Sequence, residues 1–167
     1  MPFRTFERLA FRLETREHYA VVEEADAYRA FLAGEPFDLW WHEPWLAGIR
    51  DITASGRQMR RVRLMTEPPT AYQRFELAVT PANERAGEDI RILLQRRAQD
   101  LFLPDYDFWI FDDEQLGIMH FDEDGVFHGI ELTGDPTAVS AHRAARDRAL
   151  SGAVTYAQYI AAHPLHA

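Results

Sequence analysis

No cysteine occurs among the 167 residues, which excludes disulfides, thiolate metal sites and a cysteine nucleophile and fits a reducing compartment. No apolar run approaches the roughly 20 residues that a membrane-spanning helix needs. The start Met1-Pro2-Phe3-Arg4 lacks a secretory apolar segment. Positive charge is scarce: 18 Lys and Arg stand against 27 Asp and Glu, a formal net charge of -9. That balance argues against general nucleic-acid binding, because backbone phosphates must be neutralised by clustered basic side chains. Internal repeats, low-complexity tracts and linkers are absent too. The expectation is a cytoplasmic protein with no membrane segment. A composition of 47% hydrophobic and 13% aromatic residues can bury one substantial core, so residues 1–167 are expected to form a single domain.

Residues 60–65 predict a strand, since Val62 and Leu64 alternate with Arg61 and Arg63, and residues 89–94 repeat the pattern with Ile90, Ile92 and Leu94. The chain between them is too long for a hairpin and long enough for a helical crossover, so the two strands should be parallel. Pro81 cannot donate to the preceding turn and should divide that crossover into helices over 72–79 and 81–86, with Thr80 as the second cap. An aromatic strand over 106–111 follows. Strands over 116–121 and 126–132 complete a meander, with turns at Asp112-Asp113-Glu114-Gln115 and Asp122-Glu123-Asp124-Gly125.

Upstream, Phe3, Phe6, Leu9, Ala10 and Leu13 fall at helical intervals. They predict a short helix over 3–13 that runs into an extended stretch to Tyr19. Helices over 23–33 and 44–55 are expected to stop at Gly34 and Gly56. Helices over 137–150 and 155–162 close the chain, and the tail from His163 is expected to be mobile. The fold class is therefore α/β: a small mixed sheet, with a β-α-β crossover followed by a β-meander, flanked by N- and C-terminal helices. Residues 1–56 are read as a helical part packed on a core over 57–132.

Ligands of open sheets favour the crevice beyond the carboxyl ends of parallel strands. By that rule Glu67, Tyr72, Arg74 and Arg96 are candidate binding residues. Arg74 can clamp an anionic group or else pair with Glu67 or Glu76, and Tyr72 offers a hydroxyl at the helix mouth. Asp105 and Asp107 are candidate catalytic groups. On a strand they would share a face and form a hard-cation site or a carboxylate pair, while the alternative is turn and edge duty for at least two of Asp105, Asp107, Asp112 and Asp113. His120 and His128 stand at similar distances from Gly125 and can be cross-strand neighbours that bind a metal with a nearby carboxylate or act as an acid-base pair, or else a partly exposed pair without a ligand. Arg57, Arg60, Arg61, Arg63, Arg91, Arg96 and Arg97 are a candidate positive strip for phosphate or an acidic partner, or else a solvated face. Trp40, Trp41 and Trp45 suit core or interface more than a sugar platform. No metal or cofactor is expected.

The order of strand, crossover helix, strand Glu88-Asp89-Ile90-Arg91-Ile92-Leu93, aromatic strand ending in Asp112 and returning apolar strand resembles one half of a phospholipase D-like domain. That superfamily works through His-x-Lys-x-x-x-x-Asp. With Asp112 in the aspartate slot, Asp105 and Asp107 occupy the slots of the nucleophile and the phosphate anchor, so the resemblance implies lost phosphodiester chemistry. The chain as a whole also resembles an uncharacterised actinobacterial family often encoded near helix-turn-helix regulators. The resemblance is carried by Ala10-Phe11-Arg12-Leu13-Glu14, Phe31-Leu32-Ala33-Gly34, Tyr72-Gln73-Arg74-Phe75-Glu76-Leu77, Gly87-Glu88-Asp89-Ile90-Arg91 and Asp107-Phe108-Trp109-Ile110-Phe111-Asp112-Asp113. It implies a possible link to such a regulator, and the superfamily's paired halves imply a homodimer by analogy. The expectation is a non-catalytic binding or regulatory protein that recognises a protein partner or small anionic ligand. A small enzyme using strand-end acid and base groups is the rival, and a nucleic-acid-associated factor using the arginine strip is the weaker one.

Overall fold

The computed structural model describes residues 2–164. Part of the expected mobile tail, residues 165–167, lies outside them. Seven strands form one mixed sheet in the order β6-β5-β4-β1-β2-β3-β7. They are β1 (Leu9–Glu14), β2 (Gln58–Met65), β3 (Asp89–Leu94), β4 (Phe108–Phe111), β5 (Gln115–Phe121), β6 (Phe127–Thr133) and β7 (Val154–Thr155). The parallel pairing of β2 with β3, which sets Val62 beside Arg91 and Arg63 beside Ile92, is as the crossover length requires.

The largest departure from the sequence reading is β1. Residues 3–13 are not one helix: a single turn, α1 (Pro2–Thr5), gives way to a strand at the centre of the sheet, parallel to β2 and antiparallel to β4. Helical spacing of apolar residues hid a second pattern, in which Leu9, Phe11 and Leu13 alternate with Ala10, Arg12 and Glu14. Both sets are largely buried, so the usual contrast between a wet and a dry face is missing. The N-terminal part is accordingly woven into the core and not laid on it.

Helices cover both faces. On one side α5 (Gln95–Asp100) and α6 (Pro136–Gly152) close over Phe11, Leu13, Val62, Leu64, Phe108, Ile110 and Leu116. On the other lie α2 (Ala25–Leu32), α3 (Glu43–Ala54), α4 (Ala71–Ala86) and α7 (Tyr156–Ala162). Helix α4 is one helix despite Pro81. The proline removes the N–H that would reach the Leu77 carbonyl, and the Tyr156 hydroxyl donates to that carbonyl instead, at 3.0 Å. Thr70 and Gln73 form a capping box at its start, while Thr80, expected as a second cap, donates to the Glu76 carbonyl at 2.8 Å. The turn between β4 and β5 places Asp112 and Asp113 at positive φ, 55° and 65°, a tight hairpin geometry that aspartate tolerates.

Candidate functional site

The alternation that gives the α6 side its apolar residues sends Arg12, Glu14, Arg61 and Arg63 to the opposite side, beneath α3 and α4. They carry a buried charge network. Arg61 donates to Glu14 at 2.5 Å and to Glu88 at 2.8 Å. Arg63 donates to the other Glu14 oxygen at 2.7 Å and to the Thr80 hydroxyl at 3.1 Å. Arg12 donates to Asp107 at 2.9 Å. Charges taken this far from water persist only when matched, and here they are. Burial works against an ionised Glu14, but Arg61, Arg63 and Arg12 outweigh it and hold the carboxyl far below its ordinary range.

Above this floor lies a cavity of about 340 Å³. Its aromatic walls include Tyr19, Trp41, Trp45, Tyr72, Phe75 and Phe121, and its polar lining adds His42, Glu24, Glu76 and Asn83. His42 meets the Asn83 side chain at 2.8 Å, and burial lowers its pKa despite that bond. The segment after β1 straps one side. Tyr19 reaches in to donate to Asp107 at 2.7 Å, and the Ala20 N–H donates to the Gly125 carbonyl at 3.0 Å. Arg16 lies over the Phe121 ring at 5.4 Å and donates to the Asp122 carbonyl at 2.9 Å. Gly125 is at φ +84°, and a Cβ there would sit 2.9 Å from the His18 carbonyl oxygen, so the β5–β6 hairpin can meet the strap only through a glycine.

Two carboxyls in the cavity have no arginine of their own. Glu24 accepts from the Tyr72 hydroxyl, and burial raises its pKa to about 7 even against that bond. Glu76 stands 3.8 Å from the nearest Arg63 nitrogen, too far for a hydrogen bond, and its Oε2 has no partner. Burial, with Glu14 and Glu24 adding to it, raises Glu76 to about 8 against the pull of Arg63. Both therefore titrate where a carboxyl can exchange a proton near neutral pH.

The residues singled out from sequence scatter. Arg63 and Tyr72 line the cavity. Glu67 and Arg96 pair with each other at 2.6 Å in a second, polar cavity of about 290 Å³ at the ends of β2 and β3, where the strand-end rule had pointed. Arg74 is exposed and donates to the Pro69 carbonyl at 3.1 Å, so it joins neither cavity nor either expected carboxylate. Asp105 is exposed in the turn before β4 and lines neither cavity. Asp107 is buried, and its two oxygens are taken by Arg12, Thr15 and Tyr19, so the pair expected to share a cation or a proton does not form. Asp112 accepts from the backbone of Glu7, Arg8 and Leu9 and fastens the chain into β1.

His120 faces Glu131 at 3.3 Å and His128 faces Asp122 at 2.8 Å, so each has its own carboxylate and they are not an acid-base pair. No metal-holding group of three His, Asp or Glu side chains occurs among the described residues. The arginine strip also dissolves. Arg61 and Arg63 go to the cavity floor, Arg60 and Arg91 pair with Asp89, and Arg57 packs on Phe6. What the sequence reading missed is Arg12, Glu14, Tyr19, Glu24 and Glu76. The available signal was the charged alternation in β2: a strand crossed by helices on both sides has no solvent face, so Arg61 and Arg63 demanded buried carboxylates.

A family model described as a domain of unknown function (DUF6879) matches residues 2–161. None of the curated proteins matches the chain. A solved structure with some likeness is that of TrmBL2, described as an archaeal chromatin protein with a novel mode of DNA binding. It has a TM-score of 0.48 and 10% identity over 92% of this chain and 46% of that one. The chain thus spans about half the length of TrmBL2.

Proposed function

The chain belongs to the DUF6879 family, and from that premise we propose a non-catalytic binding protein that holds a small ligand in the cavity between α3, α4 and the sheet. One observation carries the reading: an aromatic-walled space of about 340 Å³ is kept open above a charge network whose arginines are already paired. Small-ligand sites are concave, mostly apolar and furnished with a few fixed polar groups, and this cavity has that make-up. The side chains in the phospholipase D-like slots, Asp105, Asp107 and Asp112, supply neither a nucleophile nor a phosphate anchor. A degenerate phospholipase D-like ancestry rests on the β2-α4-β3 unit and aromatic β4. It would leave the fold as a scaffold for recognition. A regulatory partner, which the resemblance to a family encoded beside helix-turn-helix regulators suggests, would find exposed Val22 and Trp40, 86% and 76% accessible, near the cavity residues Val21 and Trp41.

The test uses a neutral fluorophore, N-phenyl-1-naphthylamine. Its emission should rise saturably with the wild-type protein, with quenching of Trp41 and Trp45, and the rise should be lost in Val79→Trp, which fills the cavity. An unsaturable rise, or one unchanged in a Val79→Trp protein with native far-UV circular dichroism, would remove the reading.

The enzyme reading is supported by a different observation, the raised Glu24 and Glu76 beside Tyr72 in one cavity. Groups near about 7 and 8 suit proton transfer. Its signature would be turnover with a pH profile bounded by those values and lost in both Glu24→Gln and Glu76→Gln.

A further inference from the structure

Resting on the small-ligand reading above, we propose that the cavity takes an organic cation, a protonated amine that sets its N–H donors on the free Glu76 oxygen among the rings of Tyr19, Tyr72 and Phe75. The balance of charge in the site points this way. Three guanidiniums, Arg12, Arg61 and Arg63, meet five carboxyl groups. Asp107, Glu14 and Glu88 each accept from an arginine within 2.9 Å. Glu24 and Glu76 are in excess, and Glu76 Oε2 is buried, unpartnered and part of the cavity lining. An unpartnered buried carboxyl oxygen is costly, and a donor supplied by a ligand would satisfy it. An anion would instead meet guanidiniums whose charge Glu14, Glu88 and Asp107 already balance, with only the Arg12 Nε–H left without an acceptor. The anionic ligand that Arg63 suggested is therefore disfavoured.

The walls favour the same class. Faces of Tyr and Trp rings attract desolvated cations, and the protein already uses this attraction: Arg12 lies 5.5 Å from the centre of the Tyr19 ring, and Arg61 lies 5.7 Å from that of Trp45. Glu76 is faced by Arg61 and Arg63 from β2, by Glu14 from β1, by Glu24 from the turn before α2, by Tyr19 from the strap, and by Tyr72 of its own helix. Without a ligand the excess acidity is neutralised by protons. A bound ammonium takes the place of one: its N–H+ faces the carboxylate, and the Glu76 proton leaves to solvent.

Isothermal titration of 2-phenylethylammonium into the full-length protein, near neutral pH and in two buffers of different ionisation enthalpy, reads that exchange. The expected result is release of about one proton per ammonium bound. Affinity should climb with pH and level off as Glu76 ionises near about 8. A preference over neutral 2-phenylethanol of roughly tenfold is expected, the equivalent of one pKa unit. Glu76→Gln should abolish the proton release and the preference while leaving the alcohol's binding in place. Should that variant not fold, the two-buffer comparison on the wild-type protein decides. Equal binding of ammonium and alcohol, a preference for phenylacetate, binding without proton release, or release that persists in Glu76→Gln would each overturn the cation assignment. The cavity reading would survive any of these if N-phenyl-1-naphthylamine still distinguished wild type from Val79→Trp, and would fall with it if it did not.

Discussion

The two faces of the sheet are made from neighbouring residues of the same strands, yet different forces hold them. Toward α6 the strands present Phe11, Leu13, Val62, Leu64, Phe108 and Ile110, packed with Val139, Ala145 and Ala149, and the buried Arg146 of α6 pairs with Asp113 and Asp147. One residue along, toward α3 and α4, β1 and β2 present Arg12, Glu14, Arg61 and Arg63, joined by Asp107 just before β4, with a cavity above. The first face is stabilised by close packing, which tolerates no gap. The second sets costly buried charges against one another and leaves space. The second face has close packing of its own around Ile49, Met59, Trp109 and Phe111, and the polar-floored site lies beside it.

Substitutions can break that contrast. The largest loss is expected on the packed face, where Phe108→Ala should cost about 3 to 5 kcal/mol in urea unfolding and leave the pH dependence of stability unchanged. Glu14→Gln, on the other face, should cost about 3 kcal/mol by stranding Arg61 and Arg63. It should also flatten the acid limb of a pH–stability profile. The sign follows from a carboxyl held below its ordinary value: its stabilisation is present above the unfolded pKa and is lost as pH falls.

Glu76 sharpens the contrast with the opposite sign. Raised to about 8, it binds a proton more tightly in the folded state. Stability should therefore fall as pH rises from the unfolded value near 4.5 toward about 8, at up to about 1.4 kcal/mol per pH unit. Glu76→Gln should remove that slope in unfolding curves measured across the range, and an undiminished slope would place its origin elsewhere. The smallest effects belong to neither face. Arg74→Ala and His120→Ala, both at exposed positions, should each shift stability by less than about 0.5 kcal/mol and leave N-phenyl-1-naphthylamine binding as in wild type.

Much of the frame was legible in the chain. Parallel β2 and β3, the meander after the aromatic strand, and glycine stops at Gly34 and Gly56 follow from period, length and turn chemistry. Residues 3–13 misled because a strand buried on both faces lacks the apolar-polar alternation that separates strand from helix, and Phe3 and Phe6 extended a false helical period into it. Pro81 misled in the opposite direction: its rule assumes an orphaned carbonyl, and Tyr156, 79 residues further on than Leu77, supplies the missing donor. The strand-end rule located the Glu67–Arg96 cavity and missed the aromatic-walled one, which opens on a sheet face under the helices.

By itself the sequence determined the class of fold, since the periods of its apolar residues and the punctuation of its turns are local properties that survive in any reading of the chain. Tertiary structure alone decided the site. Arg12 and Glu14 lie far in the chain from Arg61, Glu76 and Asp107, and whether each is a solvated charge, a paired one or a protonated acid depends on which of the others burial brings within a few ångströms.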